Sequence, residues 1–278
     1  HNYTFGTKMS SIGTGYDLST TTYSPGGRLF QVEYASKAVA NSGNVVGICC
    51  KDGVVIGVEK LVLSKMLEKT SNKRIFSVAK GAGLACAGLL ADSRQVVNRA
   101  RIECNQYISS WGESISGTVL AQRISGFIHQ YTYNWYLRPF GCSVLVASYD
   151  EDGPTLHMIE PSGDSWGYYG SAIGKAKANA KTELEKLDFD TLTCKEAVNE
   201  VAKIIYKVHD SAKDKHFELE LGWVSNDTDR KFVRITGQQL ADAITAAEAA
   251  VKSAKEDEDD DDDDDSDDDD EDEAGGDE

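Results

Sequence analysis

The stretch Asn44-Val45-Val46-Gly47-Ile48-Cys49-Cys50-Lys51-Asp52-Gly53-Val54-Val55-Ile56-Gly57-Val58-Glu59 contains two runs of strand-forming residues, split by Asp52-Gly53. Asp-Gly in a two-residue loop supplies the positive φ angles of a type I′ turn, so the stretch predicts a β-hairpin. Both runs are apolar on both faces, as in strands covered on two sides. Working outward, Arg74–Ala79 and Gly83–Ala87 read as a second pair joined near Lys80-Gly81. A helix over Arg28–Asn41 precedes the first pair, with Leu29, Val32, Ser36 and Val39 on one face. Helical periodicity follows over Ala91–Ser110 and Ser116–Tyr136, and Arg138-Pro139-Phe140-Gly141 breaks the second of these. Strands return at Cys142–Tyr149, Thr155–Glu160 and Ser165–Gly170, then helices at Lys175–Leu187 and Cys194–Lys213. Phe217–Val224 and Lys231–Ile235 close the strand set, and an amphipathic helix spans Gln239–Lys255. Strands and helices come in runs rather than in alternation, which argues for an α+β domain over a doubly wound sheet. Two antiparallel sheets packed together, with helices outside each, bury every run: a four-layer αββα sandwich.

Charge divides the 278 residues in two. The formal net charge is −17, but residues 256–278 hold 19 Asp and Glu and no Lys or Arg. Residues 1–255 carry 27 acids against 29 bases, a net charge of +2. A nearly neutral body gives no support for a basic surface that binds nucleic acid. The acidic end lacks apolar residues to offset ordering entropy and reads as a disordered tail. Ser266, followed by four aspartates, is a phosphorylation candidate of the kind casein kinase II prefers. No run approaches a membrane span, and His1–Lys8 lacks the regions of a secretory signal. Cys49, Cys50, Cys86, Cys104, Cys142 and Cys194 form no CxxC pair and no zinc spacing. They read as buried free thiols in a reducing compartment, cytoplasmic and nuclear. No cofactor or metal is expected.

Catalytic motifs are missing. There is no G-x-S-x-G elbow, P-loop or H-E-x-x-H. His129 and His209 fall mid-helix and His216 near a strand start, and all three read as structural. Glu183/Glu185 and Glu218/Glu220 read as solvated faces. The αββα layout resembles that of N-terminal nucleophile hydrolases, in which a Thr, Ser or Cys opens the first strand and its free amine acts as base. Here Ser42-Gly43-Asn44 leads into the strand behind more than 40 residues, and cleavage after Gly43 would release an asparagine, which has no hydroxyl or thiol. No catalytic residue is assigned.

The segments Gly13-Thr14-Gly15-Tyr16-Asp17-Leu18-Ser19 and Tyr23-Ser24-Pro25-Gly26-Gly27-Arg28-Leu29-Phe30-Gln31-Val32-Glu33-Tyr34-Ala35 resemble the N-terminal signature of 20S proteasome α subunits. Gly88-Leu89-Leu90-Ala91-Asp92-Ser93-Arg94, Arg138-Pro139-Phe140-Gly141 and Ala172-Ile173-Gly174-Lys175-Ala176 extend the resemblance. It divides the chain into an extension (1–8) before Met9, a gate arm (9–27), an α-type domain (28–255) and the acidic tail (256–278). It implies a non-catalytic subunit of the seven-membered outer ring, which serves ubiquitin- and ATP-dependent protein degradation. Its implied partners are other α subunits, the β ring and regulatory activator particles. The charge of the acidic tail suits basic proteins as its partners, and charge and hydropathy point to neither nucleic acid nor membrane. The gate-stabilising cluster would fall on Tyr16, Asp17, Pro25 and Tyr34. Activator docking would fall on Lys73 and Arg74, with Gly27 and Glu33; the basic residue there is usually Lys. Leu18 stands where relatives carry Arg, which removes an arm-to-arm ion pair. An active hydrolase of the same fold and a free acidic-tailed chaperone are the alternatives.

Overall fold

The computed structural model describes residues 15–68, 71–210 and 216–261, with side chains through residue 253. Met9, Gly13, Thr14, Ser266 and the tail from residue 262 lie outside the described residues. Among the described residues, no helix is long and apolar enough to cross a membrane.

The chain begins with α1 (Phe30–Ala40), then β1 (Val45–Cys50), β2 (Gly53–Leu61), β3 (Ile75–Ala79) and β4 (Ala82–Gly88). Next come α2 (Leu90–Trp111), α3 (Gly117–Gln130), β5 (Cys142–Asp150), β6 (Gly153–Ile159), β7 (Ser165–Gly167) and β8 (Gly170–Ile173). The rest is α4 (Lys177–Leu184), α5 (Cys194–Val208), β9 (Phe217–Ser225), a 3₁₀ turn at Asn226–Thr228, β10 (Val233–Ile235) and α6 (Gln238–Asp261). One antiparallel sheet runs β10-β9-β2-β1-β8 and the other β3-β4-β5-β6-β7. Their facing sides meet in an apolar layer that includes Val45, Ile56, Val58, Ala85, Leu145 and Leu156. The outer face of the first sheet packs on α4, α5 and α6 through Ile48, Val55, Val198, Val201 and Ile205. The outer face of the second packs on α2 and α3 through Leu84, Val144, Val96, Leu120 and Ile124. This is the expected αββα sandwich.

Five local readings change. The β1–β2 loop is Lys51-Asp52, with Cys50 paired to Gly53, rather than Asp52-Gly53. Neither loop residue has a positive φ, so the turn is not type I′. Gly53 serves close packing instead, because a Cβ there would lie 2.1 Å from the Val224 carbonyl oxygen and 2.8 Å from Cys194 Sγ. The single strand expected over Ser165–Gly170 is split, with β7 on β6 of one sheet and β8 on β1 of the other. Helix α3 ends at Gln130, where the Thr132 hydroxyl turns back to the His129 carbonyl at 2.8 Å and Tyr131 packs on Phe140 at 4.4 Å. Helix α5 ends at Val208, so His209 caps it rather than sitting inside it. Helix α6 runs to Asp261, six residues past the predicted end at Lys255.

Helix-on-sheet packing is tight at Gly57, in the middle of β2. A Cβ there would lie 2.4 Å from Val201 Cγ1 and 2.9 Å from both Ile205 Cδ1 and Leu221 Cδ2. All three neighbours are buried in one cluster and have little room to yield. Gly57→Ala is therefore expected to cost about 1–3 kcal/mol through overpacking. Urea unfolding of the purified chain, read by tryptophan fluorescence, measures it. An unchanged midpoint would show that α5 can move away from the sheet.

Candidate functional site

Helix α1 closes one end of the sandwich, with Val39 inserted among residues of the inter-sheet layer. This is also the end at which β1 begins and β2 finishes, so Asn44 and Glu59 face each other there. The backbone N–H of Glu59 donates to the Asn44 carbonyl at 2.8 Å. One Glu59 carboxylate oxygen accepts from the Asn44 backbone N–H at 3.0 Å and from Asn44 Nδ2 at 2.6 Å. The other meets His209 Nδ1 at 2.5 Å. Asn44 Oδ1 accepts from the Ala176 N–H at 2.7 Å, which ties in the chain after β8. A cleft of about 470 Å³ opens over this network, lined also by Lys175, Lys207 and Asp210.

The chemistry of this strand end is limited by its donors. The nitrogen of Asn44 is a peptide nitrogen engaged to Glu59, and Gly43 precedes it without a break. A Cβ on Gly43 would lie 2.3 Å from the Glu59 carbonyl oxygen, so the incoming chain runs directly against β2. Neither an amine base nor a hydroxyl or thiol nucleophile stands at the start of the first strand, where Asn44 leads into Val45. His129, expected mid-helix, is in α3 next to Thr132, with Nδ1 near the Ser162 carbonyl at 3.1 Å. Glu183 and Glu220 pair with Lys186, Lys207 and Arg234 rather than forming an acid–base couple.

The arm and the start of α1 form the second region. Ser24, Pro25, Gly26 and Gly27 make a closed turn in which the Gly27 N–H donates to the Ser24 carbonyl at 2.8 Å. Gly27 has a φ of +74°, open to glycine at no steric cost. The Ser24 hydroxyl accepts from the Arg28 N–H at 3.1 Å. Arg28 then forks onto Glu33, with Nε at 2.7 Å from Oε1. That hydrogen bonding holds Glu33 below the usual carboxylate range and raises Arg28. The Tyr34 hydroxyl donates to Asp17 Oδ2 at 3.2 Å, while Gln31 Nε2 donates to the Asp17 carbonyl. Desolvation, followed by that hydrogen bond to Asp17, pushes the Tyr34 phenol up. Thr20 is buried, and its hydroxyl donates to the Asn134 carbonyl at 3.1 Å. Of the four residues expected to cluster, Asp17 and Tyr34 are joined directly. Tyr16 is partly exposed beside them in sequence, and Pro25 sits in the turn before α1.

The other expected set divides in two. Gly27 and Glu33 belong to the turn and helix just described. Lys73 and Arg74 lead into β3. Arg74 Nη1 donates to the Gly88 carbonyl at 2.6 Å, and its backbone N–H donates to Glu220 Oε2 at 2.9 Å. Burial pulls the Arg74 guanidinium below its ordinary pKa. It borders a cleft of about 220 Å³ shared with Asn41, Ser42, Leu61, Leu63 and Asn72. Among the described residues, no hydrogen bond or ion pair joins the two halves.

Sequence reasoning missed Glu59 and Asp92. The signal for Glu59 was an acid closing an otherwise apolar strand. Asp92 accepts both Arg138 Nη1 (2.6 Å) and Nη2 (2.8 Å), plus the Gly141 N–H (2.9 Å). No local pattern links it to residues 46 and 49 positions away.

An αββα sandwich of the nucleophile-hydrolase type, with a helix and a structured arm ahead of its first strand and Asn44 leading into that strand, defines the class of this chain. Comparison with known proteins agrees with this class. A family model described as "Proteasome subunit" matches residues 39–224, and the model of the N-terminal signature of A-type proteasome subunits matches residues 16–38. The chain is 57% identical over 244 residues to the alpha type-3 proteasome subunit of Arabidopsis thaliana, covering 88% of this chain and 98% of that one. It is 58% identical to the alpha type-3 subunit of Oryza sativa over the same shares, and 54% identical to that of Acanthamoeba castellanii over 88% of this chain and 96% of the relative. The chain belongs to the proteasome subunit family, as an α subunit with the structural role of the outer ring. It assembles with other proteasome subunits in the core particle and is not the catalytic subunit.

Proposed function

We propose that this α subunit contributes to gating of the core particle and to docking of regulatory activators, within a seven-membered ring stacked on the β ring. The observation that carries the gating reading is the Tyr34–Asp17 hydrogen bond, which ties the arm to α1 beside the Ser24–Arg28 turn. The direction of the chain leaving residue 16 therefore depends on a contact that a neighbouring arm or an activator can compete for. For docking, Arg74 offers a desolvated cation to a terminal carboxylate. Placing Gly27 and Glu33 apart from Lys73 and Arg74 suits a pocket completed by adjacent subunits. Six free cysteines fit work in the cytoplasm and nucleus. The acidic end offers basic partners a contact, with Ser266 as its candidate modification site.

The test uses core particles assembled with Tyr34→Phe in this chain. Tyr34→Phe removes this exposed hydrogen bond alone. The ratio of activator-stimulated to basal hydrolysis of a small fluorogenic peptide is expected to fall, with assembly unchanged. Equal ratios in wild type and variant would remove the gating role from this contact. In parallel, Arg74→Glu is expected to weaken activator binding, and unchanged affinity would move docking to other pockets.

A further inference from the structure

At the end of the sandwich away from α1, three donors from separate parts of the chain converge. Cys50 is the last residue of β1, Asp52 lies in the β1–β2 loop, and Cys194 is the first residue of α5. One ligand atom from each, two sulfurs and a carboxylate oxygen, lie within 4.8 Å of one another. Both sulfurs belong to buried residues, while Asp52 reaches the surface. We propose that Cys50, Asp52 and Cys194 form a binding site for a divalent thiophilic cation of the zinc class. The sequence reading expected no metal, because Cys50 and Cys194 are too far apart in sequence for any spacing rule to pair them.

The three donors are held where such an ion needs them. Zinc binds thiolate at about 2.3 Å and carboxylate oxygen at about 2.0–2.2 Å, which places tetrahedral ligand atoms about 3.8 Å apart. The three ligand atoms already lie within 4.8 Å of one another, close to that spacing. Asp52 is already oriented by its own hydrogen bond, in which Oδ1 accepts from the Cys194 N–H at 2.9 Å. Its backbone carbonyl accepts from the Asn226 N–H at 3.1 Å, fixing the loop. Gly53 supplies the room, since any Cβ there would press on Cys194 Sγ.

The hydrogen bond with Cys50, burial and the nearby Asp52 push the Cys194 thiol up, so the ion must supply the compensating charge. Two thiolates and a carboxylate around a divalent ion leave one net negative charge at the N-terminus of the 15-residue helix α5, where the dipole favours anions. Binding breaks two S–H bonds, releases both protons to solvent and forms two metal–sulfur bonds and one metal–oxygen bond. No oxidant is needed. On the proposal, the fourth ligand is a water from the side of Asp52, which is partly exposed.

Cadmium reads the site directly, because its charge-transfer absorption reports thiolate ligands and is silent to the carboxylates of the acidic end. Purified full chain, reduced with a non-chelating phosphine, is titrated with Cd²⁺ alongside Cys50→Ser, Cys194→Ser and Asp52→Asn. The expected result is one thiolate-bound equivalent in wild type that is absent from both serine variants. Zn²⁺ is expected to displace it, and Asp52→Asn to bind at least about 10-fold more weakly while keeping both cysteines. Equal absorption in a Cys50→Ser/Cys194→Ser double variant would overturn the proposal by placing the ion elsewhere, for example near Cys86 and Cys142. Unchanged affinity in Asp52→Asn would overturn it too, and that variant reads the site even where a serine variant fails to fold. A Cys50–Cys194 disulfide by mass spectrometry in place of metal uptake would also overturn it.

Discussion

Glu59→Ala is expected to destabilise the chain by about 3–5 kcal/mol, the scale for removing one partner of a buried charged network. The Glu59 side chain is only 4% exposed and serves three donors at once. Truncation leaves the Asn44 N–H, Asn44 Nδ2 and His209 without an acceptor in a space that water reaches poorly, and each buried orphan costs about 1–3 kcal/mol. Glu59→Gln separates charge from geometry. It retains one carbonyl acceptor, so it is expected to recover roughly half of the loss. The readout is urea unfolding of the purified chain. A loss under about 1 kcal/mol for Glu59→Ala would mean that the cleft hydrates the orphans and that the network is not what closes this end. The functional consequence is local. This network pins Ser42-Gly43-Asn44 against β2, so the segment passes through the position a nucleophile would occupy and continues into α1. Asn44 is thus held at the strand entry by Glu59, which closes this end of the sandwich.

The hairpins, the helix order and the αββα layering are legible because each depends on local periodicity. Val54–Val58 alternates no polar residue, which is enough to predict a strand covered on both faces. Details set by distant partners are not legible. Gly53 reads as a turn residue, but its requirement comes from Val224 and Cys194, far away in sequence. The Ser165–Gly170 run reads as one strand because nothing within it marks the crossing from one sheet to the other. Periodicity places His209 inside a helix, whereas Glu59 draws its ring out at the helix end. The turn between the arm and α1 is half legible: the motif locates Asp17 and Tyr34, and the fold supplies the hydrogen bond between them. Two further motifs, around Asp92 and Arg138, stand apart in the sequence, and the fold joins them.

Asp92→Asn is expected to cost about 2–3 kcal/mol at neutral pH, mainly by weakening the acceptor that satisfies the buried Gly141 N–H. The ion pair itself is discounted, since the Arg138 side chain is 66% exposed and such pairs contribute little. Asp92 lies in the first turn of α2, where an acid also suits the helix dipole. Hydrogen bonding from Arg138 holds its carboxyl below the ordinary range, with burial opposing and the Gly141 N–H assisting. A carboxyl with a lowered folded pKa stabilises the fold above its unfolded pKa of about 3.9, and that stability is lost as pH falls through the lower folded value. The gap between wild type and Asp92→Asn is therefore expected to be constant from about pH 5 to pH 7 and to shrink below about pH 4. A gap that persists undiminished down to about pH 3 would show that the carboxylate charge is not the source. Under the proposed gating role, the same pair is expected to act on the arm as well. Asp92 fixes the Arg138–Gly141 loop that follows Asn134, and the Asn134 carbonyl receives the buried Thr20 hydroxyl of the arm. Loosening that loop in assembled particles is expected to change the ratio of stimulated to basal peptide hydrolysis in the same direction as Tyr34→Phe. Thr20→Val, which removes only the last contact in the chain, should reproduce the change in ratio without the loss of stability. If Thr20→Val leaves the ratio unchanged, the arm is held by α1 alone and the Asp92–Arg138 brace acts on stability only.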